Sequence, residues 1–231
     1  MKPGYTHIAV VLDRSGSMKT VATDTIGGFN NFLEDQQKQP GEATLTLVGF
    51  DDQYEVWRDF AALKDVHPLD AQTFVPRGWT ALLDAIGRTI TEMGARLEKL
   101  PEGERPEKVV IAIMTDGQEN HSTKFDSHRI AEMISHQRDA YNWQFLFLGA
   151  NQDAITTAAS MNIPAAAALT YQHSSGGVRT AMRSFSANVG AYRRMAGPSA
   201  RAAFTPADRE AQEKVGLPPQ GRTTSPASGT K

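Results

Sequence analysis

Short apolar runs at Ile8 to Leu12, Val109 to Met114 and Phe145 to Leu148 alternate with stretches whose apolar residues return every three or four positions. A run that short and that continuous is buried on both faces only in the middle of a sheet. The stripes Ala22, Ile26, Phe29, Leu33 and Leu82, Ile86, Ile90, Met93, Leu97 each mark one face of a helix, and Ile130, Ile134 and Val178, Met182, Phe185, Val189, Tyr192 mark two more. Strand-helix alternation of this kind implies a doubly wound α/β fold, Rossmann-like, with a mostly parallel sheet and helices on both faces. One step breaks the alternation. Ala43 to Phe50 and Tyr54 to Phe60 are separated only by Asp51-Asp52-Gln53, a hairpin spacing that makes the second run an antiparallel edge strand. Ala165 to Tyr171 is expected as a short last strand, which completes six.

The chain has 231 residues, enough for one such domain, and the pattern assigns it to residues 1–195. Residues 196–231 form a Pro/Ala/Ser/Gly-rich tail whose last dozen residues read as disordered. Within the tail, Thr205-Pro206-Ala207-Asp208 is a helix start and Gly216 a stop, predicting a short helix near 206–215. The absence of cysteine excludes disulfides, zinc-thiolate sites and thiol nucleophiles, and permits a reducing compartment. The apolar run that follows Met1-Lys2-Pro3-Gly4-Tyr5 is too short for a signal-peptide core or a membrane span, so the expectation is a cytoplasmic, membrane-free protein, monomeric by default. A net charge of −2 with no basic patch argues against nucleic acid.

Three separate segments end at the same edge of the expected sheet: Asp13-Arg14-Ser15-Gly16-Ser17, Gly78-Trp79-Thr80 and Thr115-Asp116-Gly117. The hydroxyls of Ser15, Ser17 and Thr80, with the carboxylates of Asp13 and Asp116, make an all-oxygen donor set suited to a hard divalent ion, Mg2+ first, with Mn2+ or Ca2+ as substitutes, and unsuited to zinc or copper. Gly16 is expected to let the first loop fold back tightly. Each group also has a plainer use. Ser15, Ser17 and Thr80 are good helix caps, and Asp116-Gly117 is a good turn.

The three segments together resemble the metal-ion-dependent adhesion site (MIDAS) of von Willebrand factor A domains, which reads Asp-x-Ser-x-Ser, a distant Thr and a distant Asp. Asp13, Ser15, Ser17, Thr80 and Asp116 fill all five positions, and the resemblance extends from about Tyr5 to Met195. It implies a divalent-cation-dependent protein interaction module, not an enzyme, in which a protein partner contributes an Asp or Glu carboxylate to the metal. A Mg2+-dependent phosphoryl-transfer hydrolase is the alternative, but the second acid such enzymes place two residues after the first is here Ser15, and no phosphate-binding loop is present. Self-assembly is a further alternative, with Asp208, Glu210 or Glu213 of the tail filling a metal site. Around the site, Arg14 and Lys19 are expected as surface charges, Glu119, Asn120 and His121 as solvated loop residues, Asp51-Asp52 as hairpin chemistry and Asp153 as a helix cap. His67, His128, His136 and His173 show no spacing with carboxylates that points to catalysis.

Overall fold

β1 (Lys2–Asp13) occupies the middle of the sheet because nine consecutive residues, Tyr5 to Asp13, are buried in it. The structure, a computed structural model, describes residues 1–150, 154–197 and 200–215. β1 pairs in parallel with β2 (Ala43–Phe50) on one side and β4 (Pro106–Thr115) on the other, Ile8 lying beside Leu45 and Val110. β3 (Tyr54–Ala62) returns antiparallel along β2, as the hairpin spacing requires, and β5 (Gln144–Gly149) and β6 (Ala168–Thr170) continue in parallel, giving the order β3-β2-β1-β4-β5-β6. This is the six-stranded, doubly wound α/β architecture that the alternation implies.

The last strand is shorter than expected. Ala165–Ala167 forms a 3-10 turn and only Ala168–Thr170 joins the sheet, since unbranched alanines offer little side chain to pack on a pleated surface. The first crossover also opens differently: a 3-10 turn, Gly16–Val21, precedes α1 (Ala22–Gln37).

α2 (Leu82–Glu98), α3 (Ser127–Tyr141), α4 (Ala154–Ser160), α5 (Ser175–Arg194) and α6 (Pro206–Glu213) complete the described helices. Asp153 lies outside the described residues, as do Gly216 and the rest of the tail. α1 and α5 pack closely, with Phe32 stacked on Phe185 at 4.5 Å between ring centroids. Lys108 closes the far end of α5. Its ammonium donates to the carbonyls of Tyr192, Arg193 and Met195, groups that a helix C-terminus leaves without partners.

Beyond Met195 the chain stays on the domain. Ala200, Ala202 and Phe204 are buried, the Phe204 amide donates to Ala166 O at 2.8 Å, and the expected capping box forms between Thr205 and Asp208 at the start of α6. Gln212 then donates to Gly177 O at 3.1 Å. No described helix is long and apolar enough to cross a membrane.

Candidate metal centre

In the order β3-β2-β1-β4-β5-β6, chain connections leave β1 and β4 in opposite directions, so a crevice opens at their carboxyl ends. Asp13 is the last residue of β1 and Asp116 follows the last residue of β4. Asp13 is fully buried; its Oδ1 accepts from the Ser15 amide at 2.6 Å and its Oδ2 from the Thr115 hydroxyl at 2.6 Å. Ser15 Oγ is 3.1 Å from Ser17 Oγ, and Ser17 Oγ donates to Asp116 Oδ1 at 2.7 Å. Thr80 joins the same cluster from the loop before α2. A Cβ added to Gly117 would fall 2.9 Å from Thr80 Oγ1 and 3.7 Å from Asp13 Oδ2, so the glycine leaves room for both oxygens. All five sequence-predicted residues therefore converge.

The plainer uses of the hydroxyls are not taken up. Neither Ser15, at the start of the 3-10 turn, nor Ala81, which takes the N-cap position of α2 instead of Thr80, makes a side-chain capping bond. Ser17 is turned to Asp116 instead. The steps from Ser15 to Ser17 to Asp116, 3.1 and 2.7 Å, form a chain of hydrogen bonds across the loop. Among the described residues no three His, Asp or Glu side chains group as metal ligands. Burial pushes Asp13 up from 3.8 to about 6, against the hydrogen bonds from Thr115 and Ser15, and burial raises Asp116 as well. Asp116 also raises the cost of ionising Asp13, and His173 eases the ionisation of Asp116.

Several neighbours differ from expectation. Arg14, expected at the surface, is 3% exposed: its Nε lies 3.1 Å from Asp51 Oδ2 and its two terminal nitrogens 2.9 and 2.8 Å from the Glu55 oxygens. Arg77 shares both acids, at 2.9 Å to Asp51 and 2.8 Å to Glu55. The hydrogen bonds from Arg14, more than any other influence, hold Glu55 down at about 2. Asp51 does serve the hairpin, accepting from the Gln53 amide at 2.6 Å, but it is also the buried centre of this ion-pair group. Gly16 adopts ordinary backbone angles. The left-handed glycine is Gly78, at φ 67°, where any Cβ would come within 1.9 Å of Asp52 Oδ1.

Glu119 and Asn120 are braces. Glu119 accepts from the Leu83 amide at 2.9 Å at the start of α2 and from Ser122, while Asn120 exchanges two backbone-directed bonds with Thr80, at 2.9 and 3.1 Å. His121 stacks on Trp79, which is 62% exposed. Lys19 is exposed, as expected. Sequence reasoning missed His173, whose Nε2 stands 2.8 Å from Asp116 Oδ2. The two stand 57 positions apart in the chain, and no local pattern signals that pairing. Of the tail acids, Asp208 is occupied by its own cap and by Asn188, and Glu210 faces Lys214.

No family model and no curated protein matches this sequence. Solved structures do. Proximal thread matrix protein 1 from the mussel byssus, in a structure with a zinc-occupied MIDAS motif, is 20% identical with a TM-score of 0.52, over 81% of this chain and 46% of that one. The ArnB paralog VWA2 from Sulfolobus acidocaldarius is 18% identical with a TM-score of 0.50, over 79% of this chain and 44% of that one. The von Willebrand factor domain of the type V pili tip protein Mfa5 from Porphyromonas gingivalis is 10% identical with a TM-score of 0.59, over 83% of this chain and 97% of that one. This chain thus spans less than half the length of the first two. What it has in common with all three is the fold, the Rossmann-like α/β sheet of the von Willebrand factor A domains.

Proposed function

We propose that this chain is a divalent-cation-dependent protein interaction module, with the cation held by Asp13, Ser15, Ser17, Thr80 and Asp116. The observation that carries this reading is the convergence, at one sheet edge, of two buried carboxylates and three hydroxyls that do no helix capping. When bound, the ion supplies an electrophilic centre that an oxygen from a partner can join. Asp13 and Asp116 balance the charge of a dication, and the hydroxyls are neutral, weak donors, so a guest Asp or Glu carboxylate is the natural addition. Trp79, exposed on the loop that carries Thr80 and braced by His121, offers such a partner an apolar contact beside the acid.

Mg2+ is the proposed ion, with Mn2+ or Ca2+ as substitutes. The zinc-occupied motif belongs to the mussel protein, and adds Zn2+ to the ions to titrate. Calorimetric titration of the full chain with each metal alone is the test. Saturable binding by the wild type, lost in Asp13→Ala with unchanged circular dichroism, is the expected result. Equal binding by wild type and Asp13→Ala, or none by the wild type, overturns the reading. Partner capture then follows the metal: it is lost in chelator and in Asp13→Ala, whereas Trp79→Ala weakens capture without altering metal affinity.

A further inference from the structure

Asp116 divides its two oxygens between two parts of the chain. Oδ1 accepts from Ser17 Oγ at 2.7 Å, on the side of the hydroxyl cluster. Oδ2 lies 2.8 Å from Nε2 of His173, at ion-pair range but without a well-aligned hydrogen bond. The carboxylate is almost wholly buried, so this oxygen depends on the imidazole edge for any polar company.

The segment that carries His173 is itself fixed at several points. The Tyr171 amide donates to Gly149 O at 2.9 Å and the Tyr171 hydroxyl to Thr115 O at 3.1 Å, the carbonyl immediately before Asp116. On the other side, Ser174 caps α5 through the Gly177 amide at 3.1 Å. Gly177 lies so close beneath Gln172 that an added Cβ would come within 1.9 Å of the Gln172 carbonyl oxygen. Gln172 also reaches α6, donating to Val215 O at 2.7 Å. His173 is therefore presented to Asp116 by a rigid turn.

A carboxylate on a short turn rotates freely unless both its oxygens are engaged, and a metal site loses affinity when a ligand is allowed to rotate. We propose that His173 is a positioning residue of the cation site: its ring N–H holds Oδ2 of Asp116 and so keeps Oδ1 turned toward Ser17 and Ser15. This rests on the cation reading above.

The test is calorimetric titration of Mn2+ into the full chain, as wild type, His173→Ala, His173→Gln and Asp13→Ala, each with circular dichroism to confirm folding. Glutamine restores an N–H donor at similar reach; alanine does not. The expected result is a loss of Mn2+ affinity of about 10- to 100-fold in His173→Ala, with His173→Gln within about threefold of wild type. Unchanged affinity in His173→Ala overturns the proposal. So does a His173→Gln variant as weak as His173→Ala, which would make the ring nitrogen a ligand in its own right. A wild type that does not bind Mn2+, or an Asp13→Ala that binds it normally, instead overturns the cation reading on which the proposal stands.

Discussion

Asp13 shows how one residue's surroundings bear on both stability and function. In the unfolded chain its carboxyl ionises near 3.8, whereas burial in the fold raises that to about 6. The folded state thus binds the proton more tightly, so the stability this group contributes is complete below pH 4 and is lost as pH rises through about 6. A shift of this size corresponds to roughly 3 kcal/mol. In metal-free buffer, wild type should lose about that much stability relative to Asp13→Asn between pH 4 and pH 7, read from urea midpoints at each pH. Parallel pH profiles for the two proteins would contradict it. Arg14 shows the reverse problem for anyone reading the sequence. An arginine in a polar turn looks like a surface charge, and its partners, the buried Asp51 and the partly exposed Glu55, lie across a crossover and a strand. Nothing near Arg14 in the chain announces them.

At the level of elements, α1 and α5 approach closely because α1 presents Gly28 to Met182. A Cβ on Gly28 would fall 2.7 and 2.9 Å from two carbons of Met182, while one on Gly27 meets nothing within 4 Å. Gly27→Ala should therefore stabilise the protein by roughly 0.5–1 kcal/mol through helix propensity alone. Gly28→Ala receives the same benefit but must force the helices apart, for a net loss of about 1–2 kcal/mol. Equal effects at the two positions in denaturant unfolding would mean that the crossing is looser than described. The helical stripes themselves were readable, since an apolar residue every three or four positions has few other uses. The glycine contact between two helices was not, because it is a property of the pair.

At the level of the whole molecule, residues 200–215 complete the domain. Removing everything after Met195 strips the buried Ala200, Ala202 and Phe204, and uncovers Asn188 and Gly177 where Asp208 and Gln212 bind. Loss of the phenylalanine burial alone costs about 2–3 kcal/mol, so the truncated chain should melt lower by roughly 5–10 °C. An unchanged melting temperature would show that the segment adds nothing to the core. The compositional change near Met195 carries no sign of this docking, but the helix start at Thr205 to Asp208 offers an element that can dock.

The strand-helix alternation, the hairpin, the helix faces and the meeting of three segments at one end of the sheet could all be read in advance, because buried parallel strands must be continuously apolar and their ends must turn with particular residues. The strand order, the ion-pair group under Arg14, the bracing by Glu119 and Asn120 and the approach of His173 to Asp116 became visible only in three dimensions. Each joins residues far apart along the chain, and such partners are created by packing, which local chemistry does not encode.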